Sequence, residues 1–147
     1  MNGQSIEAAY EISTDTARVD VDAVHAYLTR SYWAEGIAKA IVAKAIASSL
    51  CVSLFDRDAQ IGFARVMTNR ATFAYLCDVY VLEAYRGQGL GKRLVEAATT
   101  HPDVAGVRRF VLVTRDAQTL YEPFSFKSPV DSGNYMEIFR PKIYKAK

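Results

Sequence analysis

Apolar residues change their spacing along this chain, and the changes divide it into elements. "AYEISTD" reads as a short first strand. Val21, Val24, Tyr27 and Leu28 then recur at three- and four-residue steps, the stripe of a helix, with Asp20 or Thr16 placed to cap it. "SYWAEG" breaks that helix, and "IAKAIVAKAIASSL" resumes strong helix formers with Ile37, Ile41 and Ala45 on one face. From there the period shortens. "SLCVSLFD" and "AQIGFARVMT" are strand patterns joined by the polar turn "DRDAQ", a hairpin signal. "ATFAYLCDVYVLE" is longer and almost wholly apolar or aromatic, as a central buried strand would be, and carries one carboxylate, Asp78.

Beyond that strand, "YRGQGLGKRL" sets three glycines at alternate positions. A helical face of Leu90, Leu94, Val95, Ala97 and Ala98 begins inside them. "HPDVAG" ends the helix. "RRFVLVTR" is another strand, "DAQTLYEPFSF" a short helix running into a Pro-marked turn, and "NYMEIFR" a last strand. Antiparallel hairpins beside one strand–helix–strand crossover predict a mixed sheet with helices on its faces. No repeat, low-complexity tract or linker interrupts the pattern, so residues 1–147 are expected to form one domain.

Composition narrows the function classes. Half of the 147 residues are hydrophobic and 23% are charged, ordinary values for a globular protein with a sizeable core. The net charge of +2 falls far short of a general nucleic-acid binder, so an anionic partner is expected to meet a local cluster. Cys51 and Cys77 lie in apolar strand-like runs without metal-type spacing and read as buried free thiols. No metal site is expected. The first residues lack an apolar core behind a basic segment, and the apolar stretch Ile37 to Leu50 carries Lys39 and Lys44 and is too short to span a bilayer. A cytoplasmic, reduced protein with no membrane partner is the expectation.

The glycine-rich join carries the clearest chemistry. Gly87, Gly89 and Gly91 can take dihedrals closed to other residues, and the first-turn N–H groups of the following helix have no internal partner. The helix dipole favours an anion there, and Arg86, Lys92 and Arg93 supply charge. The join thus reads as a phosphate cradle, with a plain tight turn as the structural alternative. It is not a Walker loop, because Arg93 stands where Ser or Thr belongs. Nor is it a dinucleotide fingerprint, because Lys92 stands where the third glycine belongs.

The segment Arg86, Gly87, Gln88, Gly89, Leu90, Gly91 does resemble the acyl-CoA-binding signature Gln/Arg-x-x-Gly-x-Gly/Ala of the GNAT N-acetyltransferase superfamily. "VYVLEAYRGQGLGKRLVEAA" resembles that family's strand, loop and helix in order and length. "TRDAQTLYEPFSF", about thirty residues on, resembles its second signature, N-x-x-A-x-x-L-Y-x-x-x-G-F. With the upstream hairpin and helices, the resemblance covers nearly the whole chain. It implies an α+β, three-layer fold: a mixed, mostly antiparallel twisted sheet of about six to seven strands flanked by about four helices. It also implies an acyl-CoA-dependent N-acetyltransferase, with acetyl-CoA as donor. A longer acyl chain and a homodimer are left open.

Residue by residue, the resemblance assigns backbone groups of Val79 and Val81 to the pantetheine arm. The N–H groups of Arg86, Gly87, Gln88, Gly89, Leu90 and Gly91, with Lys92, fall to the pyrophosphate. Tyr121 matches the family tyrosine that protonates the departing thiolate. Core packing beside Leu120 and Phe124 is its structural alternative. Two positions depart from the family: Thr114 replaces an asparagine that contacts the cofactor arm, and Ser125 replaces a glycine.

Asp78 is the best candidate to accept the amine's proton. Strict alternation puts it on a poorly hydrated face with Ala74, Leu76, Tyr80 and Leu82. Orienting a cationic substrate, or pairing with Arg65 as structural glue, are its alternatives. Tyr32 and Trp33 in the interhelical loop, with Tyr80, are candidates for the acceptor pocket; Tyr75 and Tyr135 extend the aromatic set. "GVRRF" and Arg115 read as a solvated basic edge. The favoured acceptor is a primary amine of a small molecule, attacked directly in a ternary complex. The alternatives are a macromolecular amine and a non-catalytic acyl-CoA-binding module.

Overall fold

The computed structural model describes residues 10–145; the chain start, where no secretory signal is expected, lies outside them. Five strands form one sheet in sequential order. They are β1 (Tyr10–Ser13), β2 (Leu50–Asp56), β3 (Ala59–Thr68), β4 (Phe73–Val81) and β5 (Arg109–Leu112). The first four pair antiparallel and β5 joins β4 in parallel. The helices are α1 (Val21–Leu28), α2 (Lys39–Ala47), α3 (Leu90–Thr100) and the single turn α4 (Gln118–Tyr121).

Local chemistry accounts for most of these boundaries. Asp20, rather than Thr16, caps α1, its carboxylate accepting the Ala23 N–H at 3.1 Å. The buried residues of α2 are Val42 and Ile46, while Ile41 points out, so its stripe is rotated by one residue from the expected Ile37, Ile41 and Ala45. The polar turn between β2 and β3 is reduced to Arg57 and Asp58, with Arg57 in the left-handed region at φ 56°.

Two apolar clusters sandwich the sheet. One joins Val52, Leu54, Val66, Ala74 and Leu76 to the face of α3 expected from the sequence. The other joins Cys51, Phe63 and Tyr80 to Val24, Leu28, Val42 and Ile46 of α1 and α2. Helices on both faces of a mixed sheet are the expected three-layer architecture, with fewer strands.

The missing strand is "NYMEIFR". Residues 135–140 are unpaired, and Met136 and Ile138 are 95% and 84% exposed. Their pattern explains it: Tyr135 and Met136, then Ile138 and Phe139, put apolar neighbours on both sides of any strand, so pairing would bury neither face cleanly. The segment instead returns toward α2, where Tyr144 packs on the second cluster and Lys145 lies 3.5 Å from Glu35. A Cβ on Gly36 would stand 2.7 Å from the Tyr144 carbonyl oxygen, and Gly36 has φ +83°. Gly36→Ala is expected to lower stability by about 1–3 kcal/mol in urea unfolding, from left-handed strain and this clash together.

Candidate active site

The site grows from an irregularity in β4. Phe63 pairs with Tyr80 and Arg65 with Cys77, so Asp78 and Val79 together oppose the single residue Ala64. This is a β-bulge, and Asp78 sits in it at φ 55°. The extra residue resets the alternation. Ala74 and Leu76 face the α3 cluster, whereas Tyr80 faces the α1–α2 cluster, so the common face expected for them and Asp78 does not exist. The bulge also marks where β4 and β5 part. Their pairing ends at Leu76 with Leu112, leaving Cys77 to Val81 with no β5 neighbour.

Asp78 is held on both carboxylate oxygens. One accepts the Trp33 indole N–H at 2.9 Å and the other the Arg65 Nε–H at 2.9 Å. Arg65 also donates to Ser49 Oγ at 3.1 Å, and both members of the ion pair are nearly buried. The loop carrying Tyr32 and Trp33 is thereby tied to the bulge. Tyr32 meets Trp33 edge-on at 5.1 Å. Tyr80 is buried and stacks face to face with Tyr27 at 3.9 Å, and both rings line the cavity described below.

At the far end of the opened strand lies the glycine-rich join. Gly87 and Gly89 have φ +84° and +77°, with open space where a Cβ would sit. Backbone conformation, not crowding, is what demands glycine there. Gly89 is the N-cap of α3 and provides no side-chain cap, and the ladder begins with the Arg93 N–H on the Gly89 carbonyl. The preceding N–H groups of the first turn are therefore available to an anion. Arg86 turns away from them. Its guanidinium donates to the Val81 carbonyl and the Tyr27 hydroxyl, both at 2.9 Å, so it braces the loop and occupies one backbone acceptor of the opened strand. Gln88 is a second brace, donating to the Tyr85 carbonyl and accepting from the Tyr10 hydroxyl. Lys92 remains exposed beside the helix start.

Tyr121 closes the site from the β5 side. It is half-buried, and burial pushes its phenol up to about 12, with Tyr32 adding to the rise. The group therefore stays a protonated donor across physiological pH. Thr114 Oγ1 accepts the Ala117 N–H at 3.0 Å, so in place of the family asparagine it anchors the turn that presents Tyr121. Ser125 keeps φ 76°, the left-handed conformation a glycine would take. Cys51 and Cys77 are free, and burial pushes their thiols up to about 11 and about 12, so neither is poised as a nucleophile.

One cavity of about 1140 Å³ unites these parts, running past Gly87, Gly89, Val79, Asp78, Tyr121, Trp33 and Tyr32. Tyr75 lines it; Tyr135 does not, lying instead under the Arg109 guanidinium. Two groups were not legible as site residues. Arg115, read as solvated edge, lines the cavity with its guanidinium 3.8 Å from the Tyr32 ring centroid. Phe139 of the returning segment lines it too. Among the described residues no three His, Cys, Asp or Glu side chains gather to hold a metal, and no helix is long and apolar enough to cross a membrane.

Residues 47–128 match the model of the acetyltransferase (GNAT) domain. The chain belongs to the GNAT acetyltransferase family. A crystal structure of a GNAT-family protein from Xanthomonas campestris pv. campestris, described as a candidate acetyltransferase, is 41% identical, with TM-score 0.91, covering 93% of this chain and 97% of that one. A candidate acetyltransferase of Gibberella zeae is 30% identical over 76% of this chain and 75% of its own. The L-2,4-diaminobutyric acid acetyltransferase of Halomonas elongata is 28% identical over 86% of this chain and 64% of its own. This GNAT protein is accordingly an acyl-CoA-dependent N-acetyltransferase.

The Asp78 contacts separate its alternatives. Asp78→Asn leaves the Arg65 guanidinium without a counter-charge, and the expected cost is about 3 kcal/mol in urea unfolding. An unchanged unfolding midpoint with lost turnover would instead make Asp78 a proton acceptor and not a structural partner.

Proposed function

We propose that this GNAT protein transfers the acetyl group of acetyl-CoA to a primary amine of a small molecule by direct attack in a ternary complex. The observation that carries the reading is the cavity that Tyr121 shares with a set of aromatic side chains. It is walled by Tyr32, Trp33, Tyr75 and Phe139 and bridged by the contact of Arg115 with Tyr32. A wall of that kind suits a small acceptor better than a polypeptide or RNA stem. The volume exceeds the roughly 300–1,000 Å³ typical of one drug-sized ligand, leaving room for donor and acceptor together. The relative from Halomonas elongata, named for acetylating a small diamino acid, supports the same class.

In this reading the pantetheine arm lies along the unpaired part of β4, where Val79 offers backbone groups as a neighbouring strand would. The first-turn N–H groups of α3, with Gly87, Gly89 and Lys92, hold the pyrophosphate. The bulge fixes the thioester carbonyl near β4 backbone donors, which stabilise the oxyanion that forms when the amine attacks. As the carbon–sulfur bond breaks, the Tyr121 hydroxyl donates to the departing sulfur. A thiolate in this desolvated position is itself a stronger base than in water, which narrows the gap to the raised phenol. Asp78, engaged on both oxygens, positions Trp33 and the bulge, and the amine's proton leaves through water.

The test is a thiol-release assay over a panel of amines. Turnover with at least one small amine is expected; tight acetyl-CoA binding without turnover of any acceptor would refute the enzyme reading. Tyr121→Phe is expected to lower kcat by about 10²-fold or more while the acetyl-CoA dissociation constant changes little. Gly89→Ala is expected to weaken acetyl-CoA by about tenfold in calorimetry, since left-handed strain of about 1–2 kcal/mol redirects the cradle. Unchanged affinity there would remove the cradle from the binding site.

A further inference from the structure

Four arginines line the cavity, and three already face a carboxylate. Arg30 forks onto Glu83 at 2.7 and 3.0 Å, Arg65 holds Asp78, and Arg86 lies 4.0 Å from Glu83. Arg115 is the fourth. Among the described residues it forms no ion pair, and its chain neighbour Asp116 is exposed and unpaired with it.

Its placement gives the charge a direction. The guanidinium lies over the Tyr32 ring, Tyr32 meets the Trp33 edge, and Trp33 donates to Asp78 at the bulge. Arg115 and the point of acyl transfer therefore belong to one continuous wall. A guanidinium stacked on a ring keeps its N–H donors in its own plane, where they match the two oxygens of a carboxylate. Of the three carboxylates that line the cavity, Asp116, the chain neighbour of Arg115, is the one outside an ion pair among the described residues. Asp78 and Glu83 are both held by arginine, so a polycationic amine meets no free carboxylate beside the bulge.

We propose that the acceptor is an amino acid, carrying a carboxylate as well as the amine, and that Arg115 binds this carboxylate while stacked on Tyr32. The inference rests on reading the cavity as a site for small-molecule amines, and it narrows that class. Arg115 then sets the distance between the anchored carboxylate and the attacking nitrogen, so it selects among amino acids by the length between the two groups.

Matched pairs of acceptors test it, each amino acid set against its decarboxylated counterpart. The pairs are 2,4-diaminobutyrate with 1,3-diaminopropane, 4-aminobutyrate with propylamine, and phenylalanine with phenethylamine. In at least one pair the amino acid is expected to show about tenfold or greater advantage in kcat/KM. Arg115→Gln is expected to shrink that advantage through KM rather than kcat, Arg115→Lys to restore part of it, and acetyl-CoA binding serves as the check on folding. Equal or better turnover of every decarboxylated member overturns the proposal while leaving the amine acetyltransferase intact. So does an Arg115→Gln variant that weakens both members of each pair alike. Failure of every amine on the panel, with acetyl-CoA still bound, removes the underlying reading as well.

Discussion

Between Cys77 and Tyr80, β4 carries one residue more than the strand beside it, and the site depends on that surplus. The bulge needs Asp78 in the left-handed region, which costs a non-glycine residue about 1–2 kcal/mol. The side chain serves two partners at once. Arg65 reaches it from β3 and Trp33 from the loop between α1 and α2, so one carboxylate joins three separate parts of the chain. Such a pair is costly to desolvate and gains little net stability, but it holds one arrangement against others. The arrangement held here parts β4 from β5 and fixes the aromatic loop above the opening.

The two ends of the opened strand then divide the work. At one end the glycine-rich turn gives α3 a start without a side-chain cap, so the first-turn N–H groups remain for an anion. Arg86 and Gln88, which look in sequence like contributors to that anion, spend their side chains bracing the turn. At the other end Thr114 caps the turn that presents Tyr121. Thr114 supplies an oxygen for the backbone, and Ser125 accepts the dihedral of a glycine.

Charge within the cavity is arranged with equal economy. Glu83 is held well below the usual carboxylate range, to about 2, chiefly by its hydrogen bonds to Arg30. With Asp78 likewise engaged, the cavity keeps its aromatic rings, the Arg115 guanidinium and the exposed Asp116 outside any ion pair among the described residues. In the proposed reading, recognition there rests on stacking, shape and the Arg115 cation.

Much of this was legible in sequence, and the legible part was local. The α3 stripe, the β2–β3 hairpin, the strand–loop–helix order and the placing of Gly89 and Tyr121 depend on periods and dihedrals that neighbouring residues set. The strand expected at "NYMEIFR" failed because its apolar residues come in adjacent pairs, and whether an edge accepts such a segment is decided by the rest of the sheet. Asp78 shows the same boundary more sharply. Alternation placed it on one face with Leu76 and Tyr80, but a bulge is a mismatch in length between two strands and leaves no trace in either one alone. Arg115 looked like solvated edge because its partner, Tyr32, lies more than eighty positions away in the chain. Sequence alone determined most of the elements, the glycine-rich turn and the family, all products of short-range backbone and side-chain preferences. Only tertiary structure decided which charges in the cavity are neutralised and that the Arg115 guanidinium lies on Tyr32 outside any ion pair among the described residues, because that balance depends on contacts between residues far apart in sequence.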